Sequence, residues 1–283
     1  MKDVKYLFDI FKEHKGFGRQ IVLLAKNELI KTYKGSAVGP LWAVVKPLFT
    51  LFVYWFAFSI GLRGNKVVEV ANIHGETIGY PIFIFILVGF VPWCFISDSI
   101  IFGARSIRDN RQFVTKVSFP VSTIMSFTVL SKLFVHFLLV GCMYIYVIFT
   151  TGGPSIYNIQ FIMYCPLMFL FFLVLSWSTA PMSAFSLDFF NIINSIMSGL
   201  FWLSSVIYSS YDLEEGWLRV IMLFNPINYF TNGYRNAFLY KRWFWDYPQF
   251  PLETLIFVAE FALLFVLGLY NYKRLRKKIA DVL

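Results

Sequence analysis

The sequence predicts an all-α integral membrane protein: six transmembrane helices, an N-terminal amphipathic interface helix and a re-entrant helical pair before the last span. Three observations predict it. Hydrophobic residues make up 58% of the 283 and charged residues only 14%, against about 25% charged in a soluble domain. The apolar residues gather into runs, Phe49–Ile60, Ile82–Trp93, Phe161–Leu175 and Leu255–Leu267, that hold almost no charge. Extended to about 20 residues, such runs match the roughly 30 Å hydrocarbon core of a bilayer. Lys and Arg, finally, are spread unevenly over the segments that join the runs.

Residues 1–40 form the first unit. Phe8, Phe11, Phe17, Ile21, Leu24 and Leu29 alternate loosely with Lys12, Lys15, Arg19, Lys26 and Lys31. That mixture suits a basic helix lying on the headgroup surface. The stretch is too polar for a cleavable signal peptide. Gly35 and Gly39-Pro40 then bend the chain into a membrane unit, 41–283.

The predicted spans are 41–61, 80–102, 123–149, 161–185, 190–209 and 252–270. Trp42, Tyr80, Trp93 and Tyr270 lie near their ends, as interface anchors do. With the N-terminus inside, the inner segments carry 17 basic residues and the outer ones 6. Both termini are therefore expected in the cytoplasm, and the net charge of +9 is topology information rather than a nucleic-acid surface. Between spans two and three, residues 103–122 mix Arg105, Arg108 and Arg111 with Ile107, Phe113 and Val114. They read either as a plain basic inner loop or as a short helix docking on a partner. In 216–240, Asn225-Pro226 breaks an apolar stretch into two pieces, neither long enough to cross. A surface hairpin and a re-entrant pair both fit. The re-entrant reading is preferred, because the apolar content is too high for an exposed loop.

The chain carries no phosphate-binding loop, no H-E-x-x-H, no Cys/His metal spacing and no G-x-S-x-G. If ATP drives this protein, another chain binds it; no cofactor, metal or catalytic residue is expected here. Cys94, Cys142 and Cys165 lie in apolar runs and read as small buried residues. The ionisable residues in or beside spans are Lys46, Asp98, Lys132, His136, Asp188 and Glu260. Lys132 and His136 are one turn apart and face either a neighbouring helix or a polar cavity. Aromatic residues crowd the first span (Phe49, Phe52, Trp55, Phe56) and the fifth (Trp202, Tyr208). They either face lipid and pack, or line a path on which sugar rings can stack.

Several segments resemble a known family. Tyr33-Lys34-Gly35-Ser36, Gly39-Pro40-Leu41-Trp42, Lys46-Pro47-Leu48, the run Arg111 to Pro120, and Asn225-Pro226-Ile227-Asn228-Tyr229 with Gly233-Tyr234-Arg235 are similar to type-2 ABC permeases that export polysaccharides. Tyr54-Trp55-Phe56-Ala57-Phe58 and Val117-Ser118-Phe119-Pro120 most resemble wall teichoic acid translocation permeases. Permeases for O-antigen and capsule share the broader pattern. The resemblance implies a bacterial plasma-membrane homodimer, paired with two copies of a separate ATPase that binds ATP and Mg. It implies transport of a lipid-linked glycan polymer, with sites assigned residue by residue: Arg105, Arg108, Arg111 and Phe113 couple to the ATPase; Arg19, Lys26, Lys31 and Lys34 attract either the polymer or anionic membrane lipids at the inner entrance; Asn225, Pro226, Tyr229 and Arg235 form a re-entrant gate. Two rivals remain: a membrane-embedded transferase, disfavoured because no clustered catalytic acid or His stands near an interface, and an ion-coupled transporter, disfavoured because no chain of acids runs through several spans.

Overall fold

A computed structural model describes residues 9–61, 67–71, 77–115, 119–213, 216–247, 249–276 and 278–279. Phe8, Lys116 to Ser118 and Lys277 lie outside these. The amphipathic segment is two helices, α1 (Asp9–His14) and α2 (Gly18–Thr32). The break falls at Gly16, whose φ of 87° is a left-handed conformation that glycine takes without a Cβ clash. Ala25 on α2 is fully buried against Ile124 and Phe127. Val22, Leu23 and Ile30 stay exposed on the same helix as Lys26 and Lys31.

Helix α3 (Trp42–Phe56) continues into a widened turn, Ala57–Gly61. An antiparallel hairpin follows, β1 (Val67–Ala71) on β2 (Thr77–Pro81), with Val67 opposite Pro81. It was not foreseen in an all-α reading, although Val67, Val68 and Val70 favour an extended backbone. Next come α4 (Ile82–Asp109), the short α5 (Arg111–Thr115), α6 (Val121–Thr151) and α7 (Phe161–Phe185). Gly152, with φ 83°, ends α6 in the left-handed turn common after helices. Helix α4 is the centre of the molecule, packed against α3, α6, α7 and the segments described next. Seventeen of its 28 residues are buried, so it is apolar on every side. By contrast only 11% of the apolar stretch within Gly39–Gly61, which includes α3, is buried within one chain.

After α8 (Leu187–Trp202) come α9 (Trp217–Leu223), α10 (Pro226–Arg235) with a widened turn Asn236–Tyr240, and α11 (Leu252–Arg276). Five helical segments among the described residues are long and apolar enough to cross a membrane. The expected span 190–209 differs. Helix α8 has 16 residues, about 24 Å, and residues 203–208 beyond it are not helical.

The faces of the molecule can nevertheless be assigned relative to each other. The Glu13 carboxylate accepts from Ser122 Oγ (2.5 Å), Tyr272 OH (2.8 Å) and Arg276 (2.5 Å), which joins α1 to the start of α6 and the end of α11. On the opposite face, Tyr80 OH donates to the Leu239 carbonyl (3.0 Å), Asn158 to Ala237 (2.7 Å) and Gln160 to Arg242 (2.8 Å). The first helices and the end of the last therefore share one face, which requires an even number of crossings. Five long spans are an odd number, and α8 with the irregular stretch to Tyr211 is the segment left for a further crossing. The Tyr211 ring lies 6.0 Å from that of Tyr240, and Asn236 donates to its hydroxyl (3.1 Å). Segment 211–241 thus leaves and returns on one side. Cysteines placed at Leu213 and Lys241, with the three native cysteines replaced, should both react with an impermeant thiol reagent added outside intact cells. Labelling at one site and protection of the other until permeabilisation would contradict this topology.

Cys165 is buried, but Cys142 is exposed on α6 and Cys94 is half-buried, so the expectation of three buried cysteines is corrected. The sequence cannot distinguish an apolar face turned to lipid from one turned to protein.

Candidate functional site

The local sequence builds a polar element among apolar helices. Asn225 caps α10, its side-chain oxygen accepting from the Ile227 N–H (3.0 Å), and Pro226 occupies the first helical position, where no N–H is needed. Polar residues then recur at Asn228, Asn232 and Arg235, a three-to-four-residue spacing that puts them on one helix face. That face meets residues 203–210. Asn225 donates to the Leu203 carbonyl (3.1 Å) and Ser204 Oγ (2.9 Å). Asn228 accepts from the Ser205 N–H (2.6 Å), and its amide nitrogen donates to the Met222 carbonyl (2.9 Å). Asn232 donates to Ser210 Oγ (2.7 Å) and reaches the buried Glu253 at 3.5 Å. Arg235, fully buried, donates to the carbonyls of Ser205, Val206 and Tyr208. Its guanidinium also lies over the Phe85 ring, 4.1 Å from the centre.

The purpose of this knot is physical. Irregular backbone at membrane depth must find its hydrogen bonds inside the protein. Here side chains of α10 supply partners that a continuous helix would have supplied itself. Gly89 on α4 makes the approach possible, because a Cβ there would overlap the Arg235 guanidinium and the Val206 carbonyl. Gly233 does the same against the Tyr164 ring. Tyr229 stacks on Phe257 of α11, centroids 4.1 Å apart and planes within 5°. Beyond the knot, burial and then the charge of Glu253 push the Tyr247 phenol above its ordinary value. It stays neutral, sharing a hydrogen bond with Thr254 Oγ1 at 2.7 Å.

Of the residues expected to form a gate, Asn225 and Arg235 meet on the 203–208 stretch, Pro226 opens α10 beside them, and Tyr229 packs on Phe257. Sequence reasoning missed the partners of this helix: Ser204 and Ser205 for Asn225 and Arg235, Ser210 and Glu253 for Asn232, and His136, whose Nε2 bonds the Tyr234 hydroxyl (2.6 Å). The one available signal was the polar period from Asn225 to Arg235 inside an apolar stretch.

The aromatic set is split between α3 and α8, which meet where Tyr54 stacks on Phe201 at 5.0 Å. Phe49, Phe52, Phe56 and Trp202 are exposed there, Trp55 and Tyr208 half-buried. The Tyr208 hydroxyl bonds the Trp202 carbonyl (3.2 Å). The basic residues Arg19, Lys26, Lys31 and Lys34 are all exposed, and Lys31 pairs with Glu28 at 3.7 Å.

The docking group divides. Arg108 turns inward, its Nε and Nη2 donating to the carbonyls of Ser183 (2.5 Å) and Ala184 (3.0 Å) at the end of α7. Phe113 packs on Phe119 and Phe127, centroids 5.3 and 5.8 Å away. Arg111 is exposed on α5. Arg105 pairs with Asp109 (3.1 Å) and lies over Phe190. Of the four, Arg108 and Phe113 hold the chain together, and Arg105 and Arg111 present charge outward.

Residues 19–239 match a family described as ABC-2 type transporter. The chain is 26% identical over 223 residues to the O-antigen export system permease protein RfbA of Myxococcus xanthus, covering 78% of this chain and 81% of the relative. It is 25% identical over 282 residues to RfbA of Klebsiella pneumoniae, covering 98% of this chain and 96% of the relative. A second Klebsiella pneumoniae RfbA is 24% identical over the same length. These relatives favour the O-antigen side of the resemblance over the teichoic acid side.

Proposed function

Because this chain belongs to the ABC-2 type transporter family, we propose that it is the membrane-spanning subunit of an ATP-driven exporter of a lipid-linked polysaccharide of the O-antigen kind. The observation that carries this reading is the end-to-end likeness to O-antigen export permeases, 98% of this chain against 96% of the relative. The geometry agrees with it. The face that bears α1 and the end of α11 also carries most of the Lys and Arg, and lies in the cytoplasm of the bacterial plasma membrane. There α5, with Arg111 outward, meets a separate ATPase that binds ATP and Mg.

In this reading two copies of the chain oppose their exposed α3 and α8 faces, and the aromatic rings of Phe49, Phe52, Phe56 and Trp202 line the path between them. Two ATPase copies bind and hydrolyse ATP, favouring one arrangement of the pair and then the other. The polymer enters beside the basic face of α2 and leaves past the Asn225–Arg235 knot. The permease makes and breaks no covalent bond.

Removing this chain from its host should abolish surface polymer and leave lipid-linked polymer on the inner side of the membrane, detected by extraction and labelling before and after permeabilisation. Supplying the wild-type chain should restore export. The purified chain alone should hydrolyse no ATP. Unchanged surface polymer in the deletion strain would overturn the export reading.

A further inference from the structure

A cavity of about 350 Å³ with a mixed polar and apolar wall lies between the end of α2 and helices α3, α4 and α6. Lys46, Asp98, Lys132 and His136 contribute to its wall, with Trp42, Tyr54 and Trp93. Lys46 is exposed at the rim and Lys132 is buried. The Lys132 ammonium sits 3.4 Å from the centre of the Phe102 ring, a face that favours a cation. Both lysines act electrostatically on Asp98. Two lysines and one acid line the cavity, with Glu28 and Asp109 also acting on Lys132 from outside its wall. A second cavity, of about 190 Å³ and almost wholly apolar, lies alongside, between α3, α4 and α6. The two share Pro47, Phe90, Cys94 and Leu139 in their walls. Across that shared wall a charged end with two lysines lies beside an apolar end, the two halves of a trough. The apolar end reaches Tyr146, about 21 Å further along α6 than Lys132.

A ligand that fits such a trough is amphipathic and anionic. We propose that it binds a phosphate-headed lipid, the phosphate on Lys46 and Lys132 and the chain along the apolar limb to Tyr146. A charge inside a membrane protein is costly unless it has a partner or a task, and Lys132 is one of two lysines converging on a cavity. The phosphate can come from a membrane phospholipid or from the diphosphate carrier of a glycan. The site is independent of the export reading, since it is read by binding alone.

Native mass spectrometry of the full chain in detergent tests it, with phosphatidylglycerol, undecaprenyl diphosphate and phosphate-free undecaprenol as separate probes. At least one phosphate lipid should remain bound while undecaprenol does not. Lys46→Gln and Lys132→Gln should each weaken retention about tenfold, as expected for loss of a charge-assisted hydrogen bond. Lys132→Arg should retain it, and Lys241→Gln, next to Arg242 on the opposite face of the molecule, should leave it unchanged. Cys142→Trp, which fills the apolar limb without touching charge, should also weaken it. Stronger retention of the diphosphate identifies a carrier site; equal retention of both lipids identifies a phospholipid site. Retention of undecaprenol equal to that of the phosphate lipids, or no effect of either lysine substitution, would overturn the proposal.

Discussion

Replacing Arg235 with Ala should abolish export and lower the melting temperature of the purified protein by about 10 °C, taking about 4 kcal/mol lost and the usual conversion for a chain of this size. The side chain is fully buried and donates to three backbone carbonyls of the irregular stretch, those of Ser205, Val206 and Tyr208. Each buried acceptor left without a donor costs about 1–3 kcal/mol, and the vacated space beside Gly89 and Phe85 adds a packing loss. Arg235→Lys should recover only part of this, since an ammonium lacks the planar fork that spans adjacent carbonyls. Thermal unfolding followed by size exclusion, with surface polymer measured in cells, distinguishes the two variants. A melting temperature within about 2 °C of wild type for Arg235→Ala would mean that the stretch finds its hydrogen bonds elsewhere.

Glu13→Gln should loosen α1 from the body at a cost of about 2–4 kcal/mol, because one carboxylate serves three donors. Those donors lie on different elements, Ser122 at the start of α6 and Tyr272 and Arg276 at the end of α11. An amide keeps the shape but offers a single acceptor oxygen, and it removes the ion pair with Arg276. The expected signature is local: faster proteolysis or hydrogen exchange in residues 9–14, with the transmembrane helices unchanged. His14, bonded to Ser126 Oγ at 2.7 Å, and the Phe11 ring, 6.1 Å from that of Trp177, would hold α1 partly in place. Wild-type exchange in α1 would show that these contacts suffice without Glu13.

Which features could be read from sequence depended on whether their cause was local. Charge-poor runs and the Lys and Arg asymmetry mark crossings, since each helix satisfies its own backbone and each loop charge acts by itself. Asn225-Pro226 likewise announces a helix break by its own chemistry. The inward course of Arg108 was hidden, because its partners Ser183 and Ala184 are 75 and 76 residues away. The same holds for Glu253, at the start of α11, beside Asn232. The short α8 was misjudged for a related reason. Its apolar residues continue through Val206 and Ile207, so composition reads as one span where the backbone is irregular.

The irregular end of the fifth crossing, α8 and the residues after it, fixes an order of assembly. An apolar helix entering the bilayer carries its hydrogen bonds with it and is complete once made. Residues 203–208 are not, for their acceptors are met by Asn225 and Arg235, which leave the ribosome later. Until those residues arrive, this part of the nascent chain has polar backbone groups with no partner in hydrocarbon. The fifth helix can be threaded into the membrane as it emerges, but its continuation has to wait for the segment that follows it, so the last third of this protein is assembled as one unit rather than helix by helix.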